Sequence, residues 1–365
     1  MKIMFVISCL SYGGAEKNLM LIANHLRGKN EVAICNFNER DTVQEISPKI
    51  TYYEQRRQRS SGRKLAWVGL RKAQYKFLIN ACEEFVPDVI VSFLPMPNTL
   101  SVLCGKKLRI PVIISERADP YQSISKLDRI MHFIYGFADG AVFQTDGAKH
   151  FYQKSLQKKS AVIPNPVIIP KSIEIHSLEA TKKEIVCVGR FENKQKRQDL
   201  AIKAMNLIHA KHPDYRMVFW GDGEDLDSAK TLVHELQLDD CVAFHGVSKN
   251  VLQDIKDSEI YLLTSDYEGI PNTLIEAMSI GIPCVSTDCS PGGARLLLGD
   301  SENGIIVPCG DVDAISNAVL KLIEAKDISL DYSRKAKNSL NRFSLEEIMR
   351  NWDEYIAKIA NKGIS

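Results

Sequence analysis

EIYLLTSDYEGIPNTLIEAMSIGIP, which runs from Glu259 to Pro283, contains in order a strand, a loop and a helix. The apolar centre of EIYLLTS has no polar alternation, which is typical of a strand buried on both faces of a parallel sheet. DYEGIP has the polar and turn-forming residues of a loop. NTLIEAMSI then predicts a helix that stops at Gly281 and Pro283. This order is the repeating unit of a doubly wound α/β domain.

Similar apolar runs recur along both halves of the chain, separated by segments with helical periodicity. The first half has KIMFVIS, EVAICNF, DVIVSF, PVIISE, GAVFQT and SAVIP, and the second half has EIVCVG, RMVFWG, CVAFHG, EIYLLTS, PCVSTD and GIIVP. Each half is therefore predicted to be a doubly wound, Rossmann-like domain. Parallel sheets bind ligands at the carboxyl ends of their strands, so two such domains facing each other would enclose a cleft.

The predicted domain boundary lies near residue 170. The segment from Ile163 to Glu184 has three prolines and little periodicity, as expected of a linker. We expect a first domain over 1–170 and a second over 171–343. A further helix is predicted at the end of the chain, within 344–365, and from its residues alone it could pack on either domain.

Composition narrows the class of protein. The chain has 365 residues, 25% of them charged, and a formal net charge of +2, so bulk charge gives no reason to expect nucleic acid binding. Its nine cysteines are scattered and odd in number, as in a cytosolic protein with reduced thiols. They form no CxxC pair or Cys/His cluster, and we expect no metal and no cofactor. MKIMFVISCL has too short an apolar run for a signal peptide, and no run is long enough for a transmembrane helix.

A glycine pair follows the first predicted strand. Gly13 and Gly14 precede a helix whose first turn carries Glu16. Glycines here let the backbone approach a ligand, and the amides at a helix start favour an anion such as phosphate. A tight turn without a ligand explains the pair equally well. The fingerprint GxGxxG is absent, which argues against a nicotinamide dehydrogenase.

A basic loop follows the first predicted strand of the second half. In GRFENKQKR, Arg190 comes directly after the strand, and Lys194 and Lys196 follow. Cations at the carboxyl end of a strand can neutralise a diphosphate through charge-assisted hydrogen bonds, each worth about 1.5 to 3 kcal/mol. The alternative is a solvated basic loop, but the position after the strand favours a functional Arg190.

The loop and helix of the opening stretch carry two glutamates. Glu268 lies at the carboxyl end of a strand, and Glu276 lies about one turn into the helix, where its carboxylate can accept hydrogen bonds from two ribose hydroxyls. The amides around the helix start offer an anion site; they belong to Gly269, Ile270, Asn272, Thr273 and Leu274. A ligand with a diphosphate between a nucleoside and a sugar would fit, which predicts a nucleotide sugar.

These motifs resemble, in order and spacing, family 4 of the retaining glycosyltransferases, which have the GT-B fold. The resemblance rests on GGAE after the first strand, GR with lysines after the seventh, GDG at 221–223 and the Glu-x7-Glu motif EGIPNTLIE. It implies that the second domain binds the donor, and that the last helix crosses back to the first domain. It further implies roles for the site residues. Arg190 and Lys196 would hold the phosphates, Glu276 would bind the ribose and Glu268 would lie near the transferred sugar. Gly13 and Gly14 would approach the diphosphate from the first domain.

The sequence departs from the family pattern at three places. The basic loop is one residue longer than usual, and Lys196 is chosen over Lys194 because it stands before RQDL. In IISERADP, Arg117 replaces a histidine that commonly faces the donor sugar, so Glu116 and Arg117 are placed on the acceptor or sugar side. Arg295 stands where many relatives have an acid.

Three alternatives remain open. A metal-dependent transferase would hold manganese with an Asp-x-Asp motif, and the chain has DLD at 225–227 and DVD at 311–313, although both are well placed to cap helices. A non-catalytic nucleotide-sugar-binding partner subunit would keep the same binding residues. A nucleotide-sugar 2-epimerase would convert the donor without an acceptor.

The expected function is a retaining, metal-independent hexosyltransferase that uses a UDP-sugar. Its expected acceptor is a glycan or a polyprenyl-diphosphate-linked oligosaccharide in surface polysaccharide or glycolipid synthesis. The segment 56–76 has eight cations and no acid, which predicts contact with an anionic membrane at the inner face of the cytoplasmic membrane. A solvated helix face is the other interpretation of this segment.

Overall fold

The computed structural model describes residues 1–10, 14–38, 46–55, 64–117, 119–122, 125–166 and 182–362. They belong to two compact units, Met1–Pro166 with Leu345–Ser365, and Val167–Ser344. Most of the linker predicted over 163–184 lies outside the described residues.

The first unit contains a parallel sheet of seven strands. These are β1 (Lys2–Ile7), β2 (Glu31–Asn36), β3 (Ile50–Glu54), β4 (Val89–Phe93), β5 (Val112–Ser115), β6 (Gly140–Phe143) and β7 (Ser160–Val162). They are arranged in the order β3-β2-β1-β4-β5-β6-β7. Phe5 of β1 is aligned with Ile34 on one side and Val91 on the other.

Six helices connect these strands. They are α1 (Gly14–Leu26), α2 (Lys64–Phe85), α3 (Pro95–Leu108), α4 (Lys126–Tyr135), α5 (Asp146–Phe151) and α6 (Lys154–Gln157). The sheet is covered on both faces, because alternate residues of β1 enter different cores. Ile3, Phe5 and Ile7 pack in one, whereas Met4 and Val6 pack in the other. Continuous apolar runs are therefore required of these strands.

The second unit repeats the plan with six parallel strands. These are β8 (Lys182–Val188), β9 (Arg216–Trp220), β10 (Val242–Phe244), β11 (Ser258–Leu263), β12 (Cys284–Thr287) and β13 (Ile305–Val307). Their order is β10-β9-β8-β11-β12-β13. Strand order reverses between β8 and β11, as it does between β1 and β4, and such a switch point opens a crevice at the carboxyl ends of the strands. The predicted pair of doubly wound α/β domains is confirmed.

The helices of the second unit follow its strands. They are α7 (Gln198–Lys211), α8 (Leu226–Glu235), α9 (Val251–Ile255), α10 (Asn272–Ile280), α11 (Gly293–Leu298), α12 (Val312–Glu324) and α13 (Lys326–Ser339), before a 3-10 helix over Leu340–Phe343. Asp311 caps α12 by accepting from the amide of Ala314. Asp225 precedes α8 but makes no such bond, contrary to the cap predicted there. Its carboxylate accepts instead from the amide of Asn193, 2.7 Å away, in the basic loop.

The last helix, α14 (Leu345–Lys362), belongs to the first unit. Trp352 is fully buried and stacks on Phe93 with ring centroids 5.9 Å apart. The Tyr355 hydroxyl donates to the carbonyl of Lys159 and accepts from the amide of Ala141. Burying this apolar face explains why the chain returns to the first sheet. Within the described ranges, no helix combines the length and apolar character needed to cross a bilayer.

Candidate active site

The loops that follow β8 and β11 lie side by side at the switch point of the second sheet. The Thr264 hydroxyl is 2.9 Å from the carbonyl oxygens of both Lys196 and Arg197. The amide of Asp266 donates to the carbonyl of Gln195 at 2.8 Å. These bonds hold the basic loop against the strand end from which Glu268 projects.

Lys196 and Glu268 form an ion pair between these loops. Lys196 Nζ is 2.5 Å from Glu268 Oε1, and the two side chains are 19% and 10% exposed. The Ser265 hydroxyl donates to the same carboxylate oxygen at 2.8 Å, and Gln195 Nε2 is 3.4 Å from the other oxygen. Three donors thus surround this largely buried carboxylate, as a buried charged group requires. Removing one partner of such a pair costs about 3 to 5 kcal/mol, because the other charge is left buried alone.

Two glycines after β9 allow close packing against the basic loop. A Cβ atom on Gly221 would lie 2.0 Å from the carbonyl oxygen of Gly189, and one on Gly223 would lie 2.3 Å from that of Phe191. Gly221 also has a φ of +143°, which side chains rarely adopt. The GDG motif therefore supports the loop that carries Arg190 and Lys196.

A third loop, after β12, supports Glu268 from another side. The Glu268 amide donates to the carbonyl of Ser290 at 2.7 Å. A Cβ atom on Gly293 would lie 1.9 Å from the carbonyl oxygen of Gly269. The second GG pair of the sequence thus serves close backbone packing at the glutamate loop.

Helix α10 begins beside this loop with an uncapped amino terminus. Pro271 is its N-cap residue, and no side chain caps the first amides. The first intrahelical bond runs from Ile275 to Pro271, which leaves the amides of Asn272, Thr273 and Leu274 without helical carbonyl partners. The Thr273 hydroxyl is bonded to Tyr261 at 2.7 Å and does not cap them. An uncapped helix start of this kind attracts an anion.

Glu276 lies on α10, half-buried. Burial raises the pKa of its carboxyl group above the ordinary value. In the described part of the chain no cation lies within ion-pair distance of it. A partly desolvated carboxylate without a cation is a strong acceptor for hydroxyl groups.

The basic loop has four cations, of which Arg197 is ion-paired with Asp199 and Asp266. The other three differ in placement. The Arg190 side chain is 70% exposed, with Nη1 3.7 Å from Glu192. Lys194 is exposed, whereas Lys196 is held by Glu268. The structure therefore joins Lys196 to Glu268, and leaves the Arg190 side chain largely exposed with a long ion pair to Glu192.

Arg190 borders a cavity of about 330 Å³ that the sequence did not reveal. Trp220, Val247, Ser248 and Val251 also line it. The Trp220 ring stacks on His245 with centroids 4.8 Å apart. The cavity is bounded by the loops after β8, β9 and β10. The one local sequence signal for it is the tryptophan that ends RMVFW directly before GDG.

In the first unit, the predicted residues follow β1 and β5. Gly14 begins α1, and Gly13 lies outside the described residues. Glu116 accepts from the Arg117 amide at 3.0 Å, and the Arg117 guanidinium donates to Asn165 at 3.1 Å.

The Arg117 guanidinium also stacks on aromatic rings, 5.2 Å from the centroid of Phe93 and 5.6 Å from that of Trp352. Burial among these groups lowers the pKa of Arg117 to about 9, against the opposing charge of Glu116. Arg117 is thus built into the packing of the first unit.

The remaining predictions concern metals and the basic segment. Within the described ranges, no three His, Cys, Asp or Glu side chains are grouped to hold a metal ion. Of the basic segment, residues 56–63 lie outside the described residues. Lys72 and Lys76 are exposed, but Arg71 is half-buried and donates to Gln74 at 2.7 Å.

Comparison with known proteins shows that the chain is similar to glycosyltransferases. Residues 169–339 match the family model described as glycosyl transferases group 1. A Campylobacter jejuni subsp. jejuni serotype O:2 protein, GalNAc-α-(1→4)-GalNAc-α-(1→3)-diNAcBac-PP-undecaprenol α-1,4-N-acetyl-D-galactosaminyltransferase, is 27% identical over 99% of both chains. The lipopolysaccharide 1,6-galactosyltransferase of Escherichia coli K12 is 28% identical over 73% of this chain and 74% of its own.

Two solved structures are similar in fold. The lipopolysaccharide outer core galactosyltransferase WaaB, in its apo form, matches with a TM-score of 0.80 and 20% identity over 98% of this chain and 99% of its own. The Anabaena protein HepE, in complex with UDP, matches with a TM-score of 0.81 and 19% identity over 98% of this chain and 100% of its own. These similarities extend over both units.

Proposed function

We propose, from the premise that this chain is a glycosyltransferase with the GT-B fold, that it transfers a hexose from a UDP-sugar with retention of configuration. The observation that carries the proposal is the Lys196–Glu268 pair at the switch point, beside the uncapped start of α10. Lys196 and the free amides suit the diphosphate of a nucleotide diphosphate sugar, and the Glu268 carboxylate suits the hydroxyl groups of its sugar.

In this proposal the second unit binds the donor. Lys196, Arg190 and the amides from Gly269 to Leu274 hold the diphosphate. Glu276 accepts from the ribose hydroxyls, and its partial burial strengthens those bonds. The base enters the cavity beside Trp220. The structure of HepE with UDP supports the choice of nucleotide, because that protein shares this fold.

Glu268 and Lys196 act together in the proposed reaction. The bond between the sugar carbon C1 and the phosphate oxygen breaks, and a bond from C1 to the acceptor oxygen forms on the same face. The acceptor proton moves to the leaving phosphate oxygen. Lys196 and the helix amides stabilise the charge that grows on the diphosphate, and Glu268 orients Lys196 and faces the transferred sugar. In this proposal no metal or cofactor is needed to stabilise the charge on the leaving diphosphate.

The proposed acceptor is a glycan or a polyprenyl-diphosphate-linked oligosaccharide, bound by the first unit. The name of the Campylobacter relative includes a diphosphate-linked undecaprenol, which supports a lipid-linked acceptor. We place the protein on the inner face of the cytoplasmic membrane, where the cations of the basic segment, Lys72 and Lys76 among them, can contact anionic lipid.

A screen of UDP-sugars with a diphosphate-linked oligosaccharide acceptor tests this function. UDP release that depends on acceptor, with a product whose anomeric configuration by NMR matches the donor, is the expected result. An inverted product would refute retention. Tight UDP binding without turnover would favour a non-catalytic partner subunit, and interconversion of donors without acceptor would favour a 2-epimerase.

A further inference from the structure

Helix α4 of the first unit exposes large apolar side chains along its outer face. Leu127, Ile130, Phe133 and Phe137 are 39%, 57%, 60% and 51% exposed. They are spaced by three or four residues and therefore share one side of the helix and its extension. The opposite side is the buried one and carries Met131 and Tyr135. We refer to the four exposed residues as the α4 stripe.

The α4 stripe belongs to a helical layer that also contains α2, which carries residues 64–76 of the basic segment. Helices α2, α3 and α4 all pack in the core on the Met4 side of the sheet, with α3 against both neighbours. On α2, Val68 is 48% exposed, and on α3, Leu103 is 44% exposed. Large apolar side chains exposed together on one helix face mark an interaction site.

Cations accompany the exposed apolar side chains. Lys126 is exposed and lies four residues before Ile130, on the face of the α4 stripe, and exposed Arg129 borders it. Exposed Lys106 and Lys107 lie in the last turn of α3.

Two acids, Asp128 on α4 and Asp139 after it, lie near these cations, and Lys106 Nζ is 3.7 Å from the Asp139 carboxylate. The Asp128 carboxylate accepts from the Ser125 amide and the Asp139 carboxylate from the Val112 amide. On α3, α4 and the turn after α4, the four cations outnumber these two acids, so the charge around the α4 stripe is net positive.

We propose that the α4 stripe inserts into the interfacial region of an anionic lipid bilayer. Lysine is depleted from the centre of protein–protein interfaces, and a second copy of this chain would have to bury Lys126 against an apolar face. A bilayer accepts both kinds of side chain, because aromatic and aliphatic groups enter the acyl boundary while lysine and arginine extend to the headgroups. The proposal concerns a different helix from the basic segment and does not depend on the identity of the donor.

Co-sedimentation with phosphatidylglycerol and phosphatidylcholine vesicles tests this surface. Wild type should partition onto anionic vesicles more than onto neutral ones, with weaker binding at high salt. Phe133→Ser/Phe137→Ser should reduce partition by at least about tenfold. The matched control, Leu207→Ser/Leu330→Ser, removes exposed apolar side chains from helices of the second unit and should leave partition unchanged.

Charge is tested in the same assay. Lys126→Ser/Arg129→Ser should lose preference for anionic vesicles, whereas Lys211→Ser/Arg334→Ser, which removes exposed cations from the second unit, should keep it. UDP affinity and the thermal unfolding midpoint should stay at wild-type values in all four variants.

Two results would overturn the proposal. One is wild-type partition in the Phe133→Ser/Phe137→Ser variant. The other is a wild-type dimer in sedimentation velocity that this variant abolishes, which would assign the α4 stripe to contact between copies. If the wild-type protein does not bind UDP, the proposed transferase site is contradicted, but the vesicle result is unaffected.

Discussion

Lys196 and Glu268, 72 residues apart in the chain, are joined by a 2.5 Å ion pair at the carboxyl ends of β8 and β11. Both side chains are mostly buried, and Ser265 adds a further donor to the carboxylate. The pair holds one cation and one anion at the place where strand order reverses. A diphosphate that enters this crevice meets a lysine whose position is already set, so little ordering is needed on binding.

Substitution of the two glutamates of the Glu-x7-Glu motif should have different effects on UDP binding and on turnover. Glu276→Ala should weaken UDP binding by roughly tenfold, because a contact to ribose is present in both the ground state and the transition state. Glu268→Gln keeps a carbonyl oxygen that can accept from Lys196, so UDP affinity should stay within about threefold while turnover falls by at least about a hundredfold. UDP affinity and single-turnover rates of each variant check this, and equal losses of UDP affinity would contradict the division of roles.

The charged carboxylate of Glu276 should lower the free energy of unfolding when no ligand is bound. Burial raises its pKa in the folded state, so the folded protein holds this proton more tightly than the unfolded chain does. Stability therefore falls as pH rises from the ordinary carboxyl range through the raised pKa. Glu276→Gln should raise the unfolding midpoint at pH 7 by on the order of 1 °C, with no gain below pH 4. A gain of equal size at both pH values would show that the charge is not responsible.

Adjacent glycines in the loop after β12 provide a matched pair of variants. Gly293→Ala places a Cβ atom 1.9 Å from the carbonyl oxygen of Gly269, so the loop that carries Glu268 must move. Gly292→Ala meets open space, and its φ of +90° costs about 1 to 2 kcal/mol. We expect Gly293→Ala to lose most transfer activity and Gly292→Ala to keep most of it. The test is the transfer activity of each variant per amount of folded protein, with folding checked by circular dichroism. Equal activities of the two variants would mean that this packing does not position Glu268.

Transfer should survive chelation. Lys196, Arg190 and the amides of α10 supply the charge stabilisation proposed for the leaving diphosphate. Initial rates in EDTA should stay within about twofold of those with added manganese. Loss of activity in EDTA that manganese restores would assign the diphosphate charge to a metal instead.

The fold could be predicted because parallel strands covered on both faces must be apolar throughout. EIVCVG and EIYLLTS correspond to β8 and β11, and the predicted α/β class is confirmed. The positions of Arg190 and Glu268 after strands followed from the same patterns. The Lys196–Glu268 ion pair could not be predicted in this way, because it depends on how two distant loops align at neighbouring strand ends.

Other features lay beyond local patterns. Asp225 has the sequence of a helix cap, yet tertiary packing brings its carboxylate to the amide of Asn193. The cavity beside Trp220 is formed by three loops that no single segment reveals. The α4 stripe is amphipathic in sequence, but periodicity alone cannot say that Met131 and Tyr135 are buried while Phe133 is exposed.

UDP affinity of a charge-balanced double variant tests the donor site most directly. Lys196→Met alone removes the cation but also leaves Glu268 without its partner, which confounds binding with local disorder. Lys196→Met/Glu268→Gln removes both charges and keeps two side chains of similar size. Calorimetry should show UDP affinity reduced at least about tenfold in both variants, because the bond from lysine to phosphate is lost in each. Wild-type UDP affinity in the double variant would show that Lys196 only neutralises Glu268, and would contradict the proposed diphosphate site.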